Sequence, residues 1–326
     1  MDPHQILELA RALGAERAEI YQTSSFGRSA NFEANRLKQV ETGDEQGTAL
    51  RVWCAGRPGL AVAHGPVDAR LLAEKAIAIS TFSKSEEADL ASEGVAVESP
   101  LFVPTPIEQL IAWGEETIAL VRERYPEILN SCTFTEEVGT VEIVNSAGLE
   151  LCYQSFSRGG FLGAEWVRGE DFLQIYDGET VLETLSPSAI AAPVLQRLEW
   201  ARKNSPSPKR SVPVLFTSKA VEVLLGTVTA ALNGRQVLQQ ASPWSQLRGE
   251  TVLSPLITLA QAPQLPPYIT PFDDEGTRTM PLEFCTRGVL ETFYADRRTA
   301  RQLGLPYTGN GLRGGLGSYP QPGLFN

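Results

Sequence analysis

The sequence predicts an α+β fold: an N-terminal domain of antiparallel sheet with packed helices, then a β-rich C-terminal domain with one main helix. Three observations lead there. Apolar residues recur at helical spacing in five stretches and alternate in shorter runs between them. Turn residues, not helices, join most of the short runs, which marks antiparallel pairing. The regular strand–helix alternation of a doubly wound sheet is missing. At roughly 100–200 residues per domain, 326 residues fit two domains.

The elements follow in order. Asp2 can cap a first helix, Pro3 suits its first turn, and Ile6, Leu7, Leu9, Ala10 and Leu13 form its stripe before Gly14 ends it. Strands are expected around Glu19–Thr23, Arg28–Glu33, Arg36–Glu41, Thr48–Cys54 and Gly59–Ala63. Turns at Glu33-Ala34-Asn35, Gly43-Asp44-Glu45 and Ala55-Gly56-Arg57-Pro58 separate them. A helix from Pro66 to Thr81 comes next, then a polar, acidic surface loop over Ser83–Pro104. Thr105-Pro106-Ile107-Glu108 reads as a capping box opening a helix through Val121. Glu137–Asn145 and Leu149–Phe156 flank a hairpin turn at Ser146-Ala147-Gly148. Gly163–Val167 and Phe172–Tyr176 add strands joined by Arg168-Gly169-Glu170-Asp171, and a helix runs from Ser186-Pro187 to Lys203.

Residues 204–211, rich in serine and proline, read as a linker, dividing the chain into domains 1–203 and 212–326. Beyond it, Val212–Phe216 is expected as a strand. Ser218 caps a helix to Asn233 whose apolar face is Val221, Leu224, Leu225, Val228 and Leu232. Further strands are expected at Thr251–Leu259, Arg278–Phe284 and Val289–Tyr294.

Composition narrows the function. With 28 basic and 39 acidic residues the net charge is −11, which argues against a protein built to grip nucleic acid. Four scattered cysteines, Cys54, Cys132, Cys152 and Cys285, read as single buried thiols in a reducing compartment. The N-terminus is not expected to be a signal peptide. The uncharged stretch Leu253–Phe272 holds Pro255, Pro263, Pro266, Pro267 and Pro271, so it is not a membrane span. A cytoplasmic protein is expected. Gly309-Asn310-Gly311-Leu312-Arg313-Gly314 matches a dinucleotide fingerprint, but no helix can follow it to hold a pyrophosphate. His4 is expected exposed in the first helical turn and His64 in a turn.

The densest carboxylate cluster of the second domain is Phe272-Asp273-Asp274-Glu275-Gly276. Asp273, Asp274 and Glu275 are candidates for binding a peptide or a metal ion, since clustered carboxylates serve acid–base work or hold hard cations. The competing reading is a turn, with Asp side chains bonding local backbone and Gly276 supplying a positive φ.

Ala18-Glu19-Ile20-Tyr21, Glu41-Thr42-Gly43 and Gly47-Thr48-Ala49-Leu50-Arg51-Val52 come in a recognisable order with Pro271-Phe272-Asp273-Asp274-Glu275-Gly276 and Gly288-Val289-Leu290. Ala300-Arg301-Gln302-Leu303-Gly304-Leu305-Pro306 and Thr308-Gly309-Asn310 complete the series. In these the chain resembles the TldD/PmbA family, historically labelled modulators of DNA gyrase. Gly276, Gly309 and Asn310 are structural parts of the shared pattern. The resemblance implies an α+β domain followed by a largely β domain. It also implies two subunit types: a TldD type with a His-Glu-x-x-x-His zinc helix, and a TldE (PmbA) type without it. The two form a heterodimer that degrades or matures small unstructured peptides.

Aligned from Leu232-Asn233-Gly234, the zinc-motif positions fall on Leu225, Gly226 and Ala230, none of which can ligate zinc. No histidine follows His64. The resemblance therefore implies a non-catalytic TldE-type subunit with no cofactor of its own, zinc being held by a TldD-like partner. A possible homodimer is the other assembly, and no nucleic-acid or membrane partner is expected. The alternatives are a stand-alone peptide-binding protein and a metal-assisted hydrolase using the Asp273-Asp274-Glu275 cluster. Family members continue past the Gly-Asn motif, so the second domain, ending at Asn326, is expected to be incomplete relative to them.

Overall fold

A computed structural model describes residues 2–94, 103–203 and 205–325. Helix α1 (Pro3–Ala12) is capped by Asp2, whose carboxylate accepts from the His4 N–H at 2.9 Å. Strands β1 (Arg17–Glu33), β2 (Arg36–Cys54) and β3 (Arg57–His64) follow, then helices α2 (Ala69–Ser80) and α3 (Ile107–Arg124). Strands β4 (Leu129–Asn145), β5 (Glu150–Arg168) and β6 (Asp171–Val181) lead to helix α4 (Pro187–Trp200). All six strands form one antiparallel sheet, ordered β3-β2-β1-β4-β5-β6. The α+β class is as predicted.

The strands are longer than the sequence pattern suggests. Gly43-Asp44-Glu45 is not a turn but the middle of β2, opposite Phe26 and Gly27 of β1. Residues 36–46 of β2 are all exposed, so no buried face imposes alternation there, and polar and glycine residues mimic a turn. The turns at Ala34-Asn35, Ser146–Gly148 and Gly169-Glu170 stand where expected.

Alternation sorts the rest of the sheet onto two faces. Ile20, Leu50, Val52 and Ala61 pack under α1 and α2. Further along the same face, Ala30, Phe32, Cys132, Phe134, Leu162 and Ala164 pack under α3 and α4. The neighbouring residues Tyr21 and Ala49 point the other way and join Ile143, Leu149 and Leu151 around Phe272 of the C-terminal unit.

Between the two helix pairs lies a buried carboxylate, Glu136. It is paired with Arg28 and with Arg158 (3.1 Å) and accepts from the Thr105 N–H at 3.0 Å. This changes the entry to α3. The Thr105 hydroxyl accepts from Arg158 Nε at 2.9 Å, so it caps no helix, and Pro106 is the cap without a side-chain bond. The expected capping box does not form.

The C-terminal unit holds helices α5 (Ser218–Leu232), α6 (Gly234–Leu238) and α7 (Arg297–Leu303) and short strands β7 (Leu259–Gln261), β8 (Leu282–Thr286), β9 (Val289–Leu290), β10 (Gly311–Leu312) and β11 (Gln321–Pro322). Thr217, not Ser218, caps α5. Asn233 ends α5 and starts α6, its side chain accepting from the Arg235 and Gln236 N–H groups. Val212–Phe216 is exposed and forms no strand, and Thr251–Leu259 is mostly irregular. Prolines and glycines interrupt the ladders, so strands of two to five residues remain where longer ones are expected. Leu232, Val237, Phe284, Cys285, Leu290, Phe293 and Tyr294 make a compact core. Of the predicted apolar face of α5, Leu232 is buried, Val221, Leu225 and Val228 are half-buried, and Leu224 is exposed.

Two further expectations change. Cys132 and Cys285 are buried, but Cys152 is exposed and Cys54 half-buried. The acidic loop is not simply solvated: Ala91 is buried and Asp89 is ion-paired, while residues 95–102 lie outside the described residues. Likewise residues 205–211 are exposed and without regular structure, with Asn204 outside the described residues. Among the described residues no helix is long and apolar enough to cross a membrane.

Candidate functional site

The turn after Phe272 is built from its own side chain. Asp273 Oδ1 accepts from the N–H of Glu275 (3.0 Å) and of Thr277 (2.8 Å), and Oδ2 accepts from the Gly311 N–H (2.8 Å). Gly276 closes the turn at φ +75, and a Cβ there would stand 2.3 Å from Leu149 Cδ2. Gly309, at φ +74, lies against the backbone of Arg278, and a Cβ would meet that carbonyl oxygen at 2.5 Å. Both positions therefore require glycine for conformation and for space.

Asn310 is fully buried and fully engaged. Its Nδ2 donates to Gln261 Oε1 and to the Gly323 carbonyl, both at 2.8 Å, and its Oδ1 accepts from Thr308 Oγ1 at 2.8 Å. Asn310 thus ties together three segments that are distant in sequence. The fingerprint-like stretch Gly309–Gly314 runs into β10 and no helix follows, as expected.

Asp274 turns toward the N-terminal sheet. Its Oδ1 accepts from the Tyr21 hydroxyl (2.9 Å) and its Oδ2 from the Arg313 N–H (2.7 Å). The Arg313 side chain reaches further and donates to Glu19 Oε1 at 2.6 Å, its guanidinium lying 4.7 Å from the Tyr21 ring centroid. Glu19 is paired in register with Arg51 on β2, whose Nη2 meets Oε2 at 3.0 Å. Glu275 accepts from the Arg297 N–H at the start of α7, at 2.8 Å. The junction between the two units is therefore a buried ionic network, with Phe272 as its apolar anchor.

Burial shapes the charges. It pushes the Asp273 carboxyl up to about 7, even though three backbone donors favour ionisation. Burial and the neighbouring Asp273 push Glu275 up, and burial raises Asp274 against the Arg313 and Tyr21 donors. Burial also raises the Tyr21 hydroxyl and lowers Arg313, and it pushes Tyr153 up to about 12. For Arg51 burial disfavours the charge, and Glu19, Glu275 and Glu86 together more than offset it.

The sequence-predicted residues thus divide. Asp273, Asp274, Glu275, Gly276, Gly309 and Asn310 come together at one junction. Leu225, Gly226 and Ala230 lie on α5, with Gly226 and Ala230 exposed. His4 is exposed beside Glu150, and His64 is exposed at the end of β3. Among the described residues no group of three or more His, Cys, Asp or Glu side chains could hold a metal ion. The carboxylates of Asp273 and Asp274 each use both oxygens on protein donors, a chemistry of fastening.

Sequence reasoning missed Glu19, Tyr21, Arg51 and Arg313 as site residues. A signal existed: Glu19 and Arg51 are charged residues inside otherwise apolar strand runs. Such placement calls for a buried partner.

An antiparallel sheet roofed by two helix pairs and fastened by buried charges to a small irregular unit defines the class of protein. The PmbA/TldA metallopeptidase domain 1 matches residues 18–80, and the PmbA/TldA metallopeptidase C-terminal domain matches residues 209–326. The chain belongs to the TldD/PmbA family, as a PmbA/TldE-type member. It is 24% identical over 333 residues to the Metalloprotease PmbA homolog of Haemophilus influenzae, covering 93% of this chain and 71% of that protein. To the Metalloprotease TldD homolog of the same organism it is 26% identical over 175 residues, 53% of this chain and 34% of that one. Among solved structures, TldE from Thermococcus kodakarensis superposes with a TM-score of 0.91 at 22% identity, covering 98% of this chain and 76% of that chain. A candidate modulator of a DNA gyrase from Thermotoga maritima gives 0.84 at 21% identity, covering 97% and 75%.

Proposed function

We propose that this chain is a non-catalytic, TldE-type subunit that works with a TldD-like zinc-bearing subunit to degrade or mature small unstructured peptides. The carrying observation is α5. At Leu225, Gly226 and Ala230, where the family's zinc motif aligns, this helix offers no imidazole or carboxylate donor, and no histidine follows position 64. Membership of a metallopeptidase family supports a proteolytic setting, with the chemistry supplied in trans. In this reading Asp273, Asp274 and Glu275 fasten the two units of the chain, and zinc belongs to the partner. A cytoplasmic location and a heterodimer are part of the same proposal.

The test is reconstitution. Mixed with a TldD-type subunit, the chain is expected to co-elute on size exclusion and to raise cleavage of an unstructured peptide above the partner alone. Peptide cleavage by this chain alone, abolished by Asp274→Asn and dependent on added metal, would instead favour the hydrolase reading.

A further inference from the structure

We propose that residues 84–94 form an ionic strap that fastens α7 to the N-terminal sheet, with Arg297 as its pin, and that the strap opens as a unit when the pin is lost. This inference does not depend on the function proposed above.

The strap has no helix or strand of its own. It is attached near one end by the Glu86 N–H, which donates to the Gly56 carbonyl at 2.8 Å. Near the other, Ala91 is buried beside Tyr21 and Ile143, and its carbonyl accepts from Asn145 Nδ2 at 2.8 Å. Between these points the strap presents three acids to the three arginines of α7. Glu86 pairs with Arg298, Glu87 with Arg301 (3.2 Å), and Asp89 with Arg297 (2.8 Å) and Arg301 (3.4 Å).

The pairs are unequal. Glu87 is 76% exposed and Arg298 59%, and exposed pairs hold weakly. Asp89 and Arg297 are 14% and 13% exposed, and theirs is the tight contact. Asp89 Oδ1 accepts from both Nε (3.1 Å) and Nη2 of Arg297, while Oδ2 accepts from the Tyr307 hydroxyl at 2.8 Å. Burial works against the Asp89 charge, yet the bonds from Arg297 and Tyr307 outweigh it and hold the carboxyl below its usual range.

Arg297 is bound on its other side as well. Its backbone N–H donates to Glu275, its Nη1 to Thr277 Oγ1 at 3.3 Å, and its guanidinium stacks 4.1 Å from the Tyr307 ring centroid. One residue thus joins the strap to the buried turn. A segment held by side-chain charges rather than a backbone ladder belongs to the low-stability end of a protein's opening spectrum. Salt weakens the exposed pairs of Arg298 and Glu87 but screens the buried Asp89–Arg297 pair much less.

Hydrogen exchange of the full chain, read at the Glu86 amide, whose N–H is bonded to the Gly56 carbonyl, tests this. Raising NaCl from about 0.05 M to about 0.5 M should speed exchange there no more than about twofold, with β1 and β4 unchanged. Asp89→Asn and Arg297→Gln should each speed it about tenfold at low salt. Asp171→Asn, which breaks the exposed pair with Arg168, should leave the strap protected. Strap exchange insensitive to Asp89→Asn would overturn the proposal. So would exchange that rises equally in β1 and β4, because that reports global unfolding.

Discussion

Arg313 and Glu19, 294 residues apart in sequence, meet at 2.6 Å inside the protein. Their side chains are 2% and 1% exposed, and Arg51 completes the group from β2. Water contributes almost nothing to solvating these three charges, so each depends on the others. Glu19→Ala leaves two guanidinium groups buried without their carboxylate and should cost about 3–5 kcal/mol of stability. Urea unfolding of the variant would show it. A loss under about 1 kcal/mol would mean that the network is more hydrated than its geometry indicates.

The same junction sets a pH dependence with two limbs. Asp273 and Glu275 have folded-state pKa values raised above those of the unfolded chain. Stability from keeping them protonated is therefore full below about pH 4, the unfolded value. It is lost as pH rises through the folded value, about 7 for Asp273. For Glu136 and Asp89 burial raises the pKa, but the bonds from Thr105 and Arg28 in one case and Arg297 and Tyr307 in the other lower it overall. Their contribution is present above about pH 4 and lost as pH falls further. Urea midpoints measured across pH should peak on the acid side of neutrality. Glu275→Gln, which keeps an acceptor for the Arg297 N–H, should flatten the fall toward pH 7.

Gly276 separates strain from crowding. Gly276→Ala combines a φ of +75 with a clash against Leu149, whereas Gly148→Ala combines a φ of +99 with open space. The first should cost about 2–4 kcal/mol and the second about 1 kcal/mol. Equal losses by chemical denaturation would show that Leu149 moves aside freely.

Thiol accessibility checks the sheet. In the native protein Cys152 should react first with iodoacetamide and Cys54 more slowly. Cys132, whose thiol burial pushes up to about 12, and Cys285 should stay unmodified until the chain unfolds. Intact mass and peptide mapping read this out. Early labelling of Cys132 would mean that the core under α3 and α4 is open.

The sequence made the helices and the paired turns legible because each carries local chemistry: Asp2 as a cap, Ala34-Asn35 as a tight turn, the apolar stripes of α1 and α2. The full strand lengths were hidden because residues 36–46 of β2 face solvent, so nothing there alternates. Asp273 and Gly276 could be read as a turn from residue type alone. Asn310 and Gly309 came from the family pattern. Glu19, Arg51 and Arg313 could not be joined on paper, because their contact depends on how β1 and β2 meet β10, a long-range fact. The strap was hidden for the same reason: Asp89 gains its meaning from Arg297, which lies 208 residues away.

Asn233 ends one helix and starts the next, and that gives α5 the mechanics of a rod clamped at its C-terminal end. Ala231 and Leu232 are buried beside the clamp, while most of the rod stands in solvent. Fifteen residues at about 1.5 Å each make it about 22 Å long. A rotation of about 5° at Asn233 therefore carries the opposite tip about 2 Å, a helical rise of more than one residue. Near that tip Lys219 reaches Asp177 on β6. The aim of α5 is thus set by leverage: small changes at the pivot are magnified where the helix is least enclosed.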